Sequence, residues 1–339
     1  MRCLSLSLAI IVACSDSTPS PTTTGAEMPD AASTEAGPGG PDGGPAVILA
    51  AGAPSANGIW STSIAADGSH VYWLEADGSV KRVSDDGGAA ETVASAQDKP
   101  TGLFAGAPGV FWANMGTGQI MRLASGAAVS IATAAKKPNA VAADATYVYW
   151  VEQAEGLATD VRPGSVKRAA LAGGAVDTLA DIADPGLLGG IALLGEYVYF
   201  TDLGHSSAGF KGTVSRVKIG GAVEDVATDQ KEPTAIASNG TSVAWTNQGS
   251  LPLFDDGSIS ELGAGAVVTD LANPGFIAVA TDRIIWVDGH PGAPGRVMRR
   301  KFGGAVDVVA NIAGASPGVA VDDKGVYWAT GGSIWRAPR

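Results

Sequence analysis

A ten-residue pattern recurs seven times along this chain: an aliphatic residue, usually followed by Ala, then a polar turn, then an aliphatic and aromatic pair closing on Trp or Phe. The copies end at Trp73, Trp112, Trp150, Phe200, Trp245, Trp286 and Trp328, with Ile64, Leu103, Val141, Ile191, Ile236, Ile277 and Val319 nine positions earlier. Spacing runs from 38 residues (Trp112 to Trp150) to 50 (Trp150 to Phe200), the length of a four-stranded propeller blade. Such a unit cannot bury both of its faces alone. The pattern therefore predicts an all-β fold, a seven-bladed β-propeller in which each unit packs on the next.

The remainder of each unit reads as two further strands. Gly opens a short run such as Gly78 to Val83 or Gly118 to Leu123, and a last strand ends in an aliphatic residue plus Ala, as at Val93-Ala94, Ile131-Ala132 and Leu179-Ala180. The seventh unit ends after its third strand, while the segment 46–50 carries the missing aliphatic-Ala signature. An N-terminal strand completing the last blade would leave no unpaired edge where the ring closes. An open solenoid with capping repeats would not need that half-unit. Ala follows the first aliphatic residue in six of the seven units, as expected for inner strands that converge on an axis.

The N-terminus reads as an address. Residues 1–13 combine Arg2 with an apolar stretch from Leu4 to Ala13 that is too short to span a bilayer, which predicts a signal peptide. Ile11-Val12-Ala13-Cys14 resembles the bacterial lipobox, which implies lipidation of Cys14. Ser15 is not the Asp that resembles an inner-membrane retention signal, so the outer membrane of the cell envelope is the expected location. Segment 14–45 is rich in Ser, Thr, Pro and Gly, contains no aromatic residue, Lys or Arg, and reads as a disordered tether ahead of a propeller domain at 46–339. Its r.m.s. span would be roughly 30 Å. Both Cys, Cys3 and Cys14, fall in this region, so the domain has no disulfide or thiolate chemistry.

A formal net charge of −12 without a concentrated basic patch argues against nucleic acid or anionic lipid as a partner. The membrane is reached only through lipid on Cys14, and a monomer is expected. The loops joining second to third strands are long in four consecutive blades, at 152–163, 201–211, 246–256 and 287–294, and short elsewhere. Insertions on one sector of one face are what a binding surface looks like. The candidate surface there is Glu152, Asp202, His205, Phe210, Asn247, Phe254, Asp288 and His290.

Two residues after each closing aromatic stand Glu75, Asn114, Glu152, Asp202, Asn247, Asp288 and Thr330. Such a ring of acceptors either holds a cation or satisfies backbone donors at strand ends, and the second reading is preferred. Val71-Tyr72-Trp73, Val148-Tyr149-Trp150, Tyr199-Phe200-Thr201-Asp202 and Val326-Tyr327-Trp328 resemble the YWTD repeats of the low-density lipoprotein receptor type. That resemblance implies a propeller, a structural motif Asp and a protein-binding role, although YWTD propellers have six blades. No nucleophile elbow or P-loop occurs. The reading is a binding or scaffold module for protein or glycan, with no cofactor and no catalytic residue assigned. Its alternative is a metal-assisted lyase or hydrolase using loop His and carboxylates of blades four to six.

Overall fold

The computed structural model describes residues 45–51, 62–153, 163–183, 185–204, 211–290, 293–314 and 316–339. The signal segment, Cys14, the tether up to residue 44, His205 and Phe210 lie outside the described residues. Among the described residues there is no helix: the chain forms 28 strands in seven four-stranded antiparallel sheets. Six sheets are simple meanders spanning 64–94, 100–132, 138–182, 188–231, 233–271 and 277–312. They are blades one to six, with strands A to D running outward from the axis. Blade seven takes strands A to C from Val319–Val321, Val326–Thr330 and Ser333–Ala337, and Val47–Ala51 lies antiparallel on the last of these as strand D.

The closing strand sits one residue later than the 46–50 expected and bulges between Ile48 and Ala50. Successive residues of a regular strand face opposite sides, so a bulge is what lets adjacent Leu49 and Ala50 both join the cluster against blade one. Ile48 is left 57% exposed.

The ten-residue pattern is an A–B hairpin. Ile64, Val141, Ile191, Ile236, Ile277 and Val319 stand directly opposite their Trp or Phe across the two strands. In blade two the register set by Phe104↔Phe111 and Ala105↔Val110 brings Leu103 level with Trp112, just past a bulge that blades three to five share. The aromatics drive assembly: Trp73, Trp112, Trp150, Trp286 and Trp328 are among the largest fully buried side chains. The buried apolar residues fall into seven clusters, and each spans one pair of adjacent blades, the pair seven and one included. That last cluster, with the Lys324 Nζ to Asp85 Oδ1 contact at 2.7 Å, excludes an open solenoid.

At the axis the inner strands meet backbone to backbone. A Cβ on Gly102 would lie 2.4 Å from the Asn139 carbonyl oxygen, and one on Gly189 would lie 2.5 Å from that of Thr234, so only glycine fits. What remains of the channel is a cavity of about 60 Å³ lined by small and apolar groups such as Ala140, Ala235 and Ile277. Among the described residues the inner strands close together at the centre.

Candidate functional site

In six of the seven blades the polar residue two after the closing aromatic is held by partners in the sheets and their loops. Trp73 Nε1 donates to Glu75 Oε1 and Trp150 Nε1 to Glu152 Oε1, both at 2.9 Å, and each Glu is paired with a strand-C lysine, Lys81 or Lys167, at 2.8 Å. Where the blade carries Asn instead, the acceptor is a Gln that precedes the blade's first strand. Trp112 Nε1 and Asn114 Nδ2 both donate to Gln97 Oε1, and Trp245 Nε1 and Asn247 Nδ2 both donate to Gln230 Oε1. Asp202 Oδ1 accepts from the backbone N–H of Gly186 and Gly204. Asp288, fully buried, is bound by Arg296; burial raises its pKa, and Arg296 opposes that shift.

Four members of the candidate surface, Glu152, Asp202, Asn247 and Asp288, are therefore occupied in holding strand ends together. Three of them, Glu152, Asn247 and Asp288, are also buried. Among the described residues no group of three His, Cys, Asp or Glu is placed to hold a metal ion.

Phe254 and His290 do lie on the elaborated sector. In the B–C loop of blade five, residues 248–256, Asp256 accepts from Ser250 N at 2.6 Å and Ser250 Oγ at 2.9 Å, and takes Lys231 Nζ at 2.7 Å. The Lys231 contact first, and then the serine bonds, lower its pKa to about 2. Phe254, half-buried at a φ of +55°, accepts from Asn273 N at 2.7 Å. His290 Nε2 lies 2.9 Å from Asp255 Oδ1 and so links the B–C loops of blades five and six. The stapled loop presents Leu251 (51% exposed) and Leu253 (67%) to solvent. Beside it a polar groove of about 720 Å³ runs between blades four and five, past Asp229, Gln230, Asn247 and Asp270.

Glu232 lies under the same loop, its carbonyl accepting from Gln248 N at 3.0 Å. The residues before the strand-A proline in blades two and three, Lys99 and Lys137, are exposed, whereas Glu232 is buried, and that burial pushes its pKa up to about 7. The identical Xaa-Pro step conceals the difference, because the burial comes from a loop whose path the sequence does not state.

The face opposite the long loops carries a repeated Asp and Tyr arrangement. Asp144 caps the A–B turn of blade three, Oδ1 accepting from Thr146 N and Tyr147 N and Oδ2 from Tyr149 Oη at 2.7 Å. Asp67 with Tyr72, and Asp322 with Tyr327, repeat the arrangement. Burial first, then Asp67, pushes the Tyr72 pKa up to about 12. Opposite the B-strand residue, strand C places an arginine in six blades, Arg82, Arg122, Arg168, Arg216, Arg299 and Arg336, and Glu261 in blade five. This regularity is present in the sequence as the fifth residue of each Gly-initiated run. Between blades three and four, these elements frame a groove of about 440 Å³.

No family model matches the chain, and no curated protein sequence matches it. Among solved structures, the chain is similar to an oligogalacturonate lyase from Vibrio parahaemolyticus, at 10% identity and a TM-score of 0.64 over 91% of this chain and 94% of that one. It is also similar to the computationally designed Ika8 protein (12% identity, TM-score 0.56, 86% and 99% covered) and to YCF48 bound to a D1 peptide (11%, 0.57, 87% and 94%). At such identities the likeness establishes the seven-bladed propeller and leaves activity to the site.

Proposed function

We propose that this chain is a lipid-anchored, extracytoplasmic propeller of the cell envelope that serves as a binding or scaffold module for protein or glycan. The observation that carries this reading is the pair of exposed leucines, Leu251 and Leu253, held out on a stapled loop within the sector where B–C loops lengthen. Exposed apolar side chains on an ordered loop are suited to burial against a partner. The YWTD-like repeats support the same class of role. The alternative of metal-assisted lysis or hydrolysis draws no support from His290 and Asp288, which are taken up by Asp255 and Arg296.

The test begins with crosslinking and co-purification of the full chain from membranes. Leu251→Asp with Leu253→Asp is expected to remove the captured partners at an unchanged melting temperature, since exposed loop residues carry little of the packing. Cys14→Ser is expected to release the chain from the membrane fraction, because the tether has no second membrane signal. Partners that survive the leucine changes, or a Cys14→Ser chain that stays membrane-bound, refute the reading.

A further inference from the structure

Tyr-Val-Tyr occurs in two blades, at 147–149 and 197–199, and these blades are neighbours in the ring. Their first tyrosines, Tyr147 and Tyr197, open strand B on the face opposite the long loops and line the 440 Å³ groove between the blades. Each ring is held on one side by an arginine: the Arg168 guanidinium lies 3.9 Å from the Tyr147 ring centre, and that of Arg216 lies 4.2 Å from that of Tyr197. A planar cation over an aromatic face is favourable and fixes the ring upright. The rest of each ring lines the groove.

The polar groups around these rings are of both kinds. Glu196 and Lys218 are exposed, and among the described residues neither side chain forms an ion pair or hydrogen bond; the Lys218 ammonium stands 5.8 Å from the Tyr197 ring centre. Arg168 is 7% exposed, is bound to Asp177 through Nε and Nη2, and stands beside the Tyr149 hydroxyl as a fixed part of the groove wall. Ile219, 60% exposed, adds an apolar wall.

The geometry points to a carbohydrate site at this groove, which takes a short segment of uncharged glycan. It rests on the reading of the chain as a binding module and gives that module a second face. Saccharides carry apolar C–H faces that pack on aromatic rings, and hydroxyls that both donate to Glu196 and accept from Lys218. The volume lies within the range of small-ligand pockets, roughly 300–1,000 Å³. A net charge of −12 repels polyanions, which favours neutral sugars over uronates.

Titration calorimetry on the full chain with cellohexaose, maltohexaose, xylohexaose and chitohexaose tests the proposal, with a galacturonate hexamer and a peptide panel as controls. At least one neutral hexasaccharide is expected to bind with a Kd of about 1 mM or tighter. Glu196→Gln and Lys218→Gln, whose side chains form no hydrogen bond or ion pair among the described residues, should each weaken it about tenfold. Tyr197→Phe should keep most of the affinity, while Tyr197→Ala should abolish it. Leu251→Asp with Leu253→Asp should leave sugar binding intact, so failure here and failure of the loop-sector reading are separate results. The proposal is overturned if none of the four neutral sugars binds at about 10 mM, if Glu196→Gln and Lys218→Gln bind as the parent does, or if the groove prefers galacturonate or peptide.

Discussion

A carboxyl group buried without a compensating charge makes stability depend on pH in the unusual direction. Glu232 has its pKa raised by burial to about 7, above its value in an unfolded chain, so the folded protein binds the extra proton between the two values. Stability attributable to this residue is then greatest below the unfolded pKa and declines as pH rises toward 7. Glu232→Gln is expected to raise the melting temperature at pH 8, by the equivalent of about 1–2 kcal/mol, and to leave it unchanged at pH 4. A gain at pH 4 equal to that at pH 8 would refute the assignment. Little of this was legible beforehand: the Glu-Pro dipeptide resembles Lys-Pro at 99–100 and 137–138, and only the fold of 248–256 separates them. The acceptors two residues after each Trp were legible as a position, yet their partners were not. Gln97, in the link from blade one to blade two, and Gln230, on the last strand of blade four, stand 15 residues before the indoles they serve.

Among elements, the closing strand Val47–Ala51 is distinguished by pairing residues from the two ends of the propeller. Leu49 and Ala50 pack in the cluster that contains Trp73, Tyr327 and Ile334. A chain lacking 46–51 loses that burial and a complete ladder, and it is expected to melt roughly 10 °C lower or more than the intact domain. Equal melting temperatures would show that the ring closes without it. This strand could be read from sequence because its aliphatic-Ala ending matches the other D strands, and its one-residue displacement could not, since a bulge leaves no mark in composition. The B–C loops were legible in length alone. Which of their residues reach solvent depended on the Lys231 to Asp256 and His290 to Asp255 contacts, each joining residues distant along the chain.

For the molecule as a whole, seven apolar interfaces supply cohesion and a set of ion pairs ties the rim. Arg300 reaches Glu261 in blade five, Lys324 reaches Asp85 in blade one, and Arg339 reaches Asp282. Asp282 is held well below the usual carboxylate range, by Arg283 before all else, and Asp256 is held at about 2 by Lys231. Carboxylates with lowered pKa contribute stability that is present above their unfolded value and is lost as pH falls through the folded one. Thermal midpoints are therefore expected to drop steadily from pH 4 toward pH 2. Asp256→Asn should shorten that drop, by lowering the midpoint at pH 7 while leaving the value at pH 2 unchanged. A drop of undiminished size in the variant would show that this group contributes nothing.

The ring has a single place where it is sewn shut, and the chain that precedes Pro45 leads straight into it. Tension applied through that leading segment is delivered first to the ladder between Val47–Ala51 and Ser333–Ala337, before any of the six continuous blades feels it. Under load the clasp is thus the first joint to yield, and the strand that completes the circle also sets how hard the molecule can be pulled before it opens.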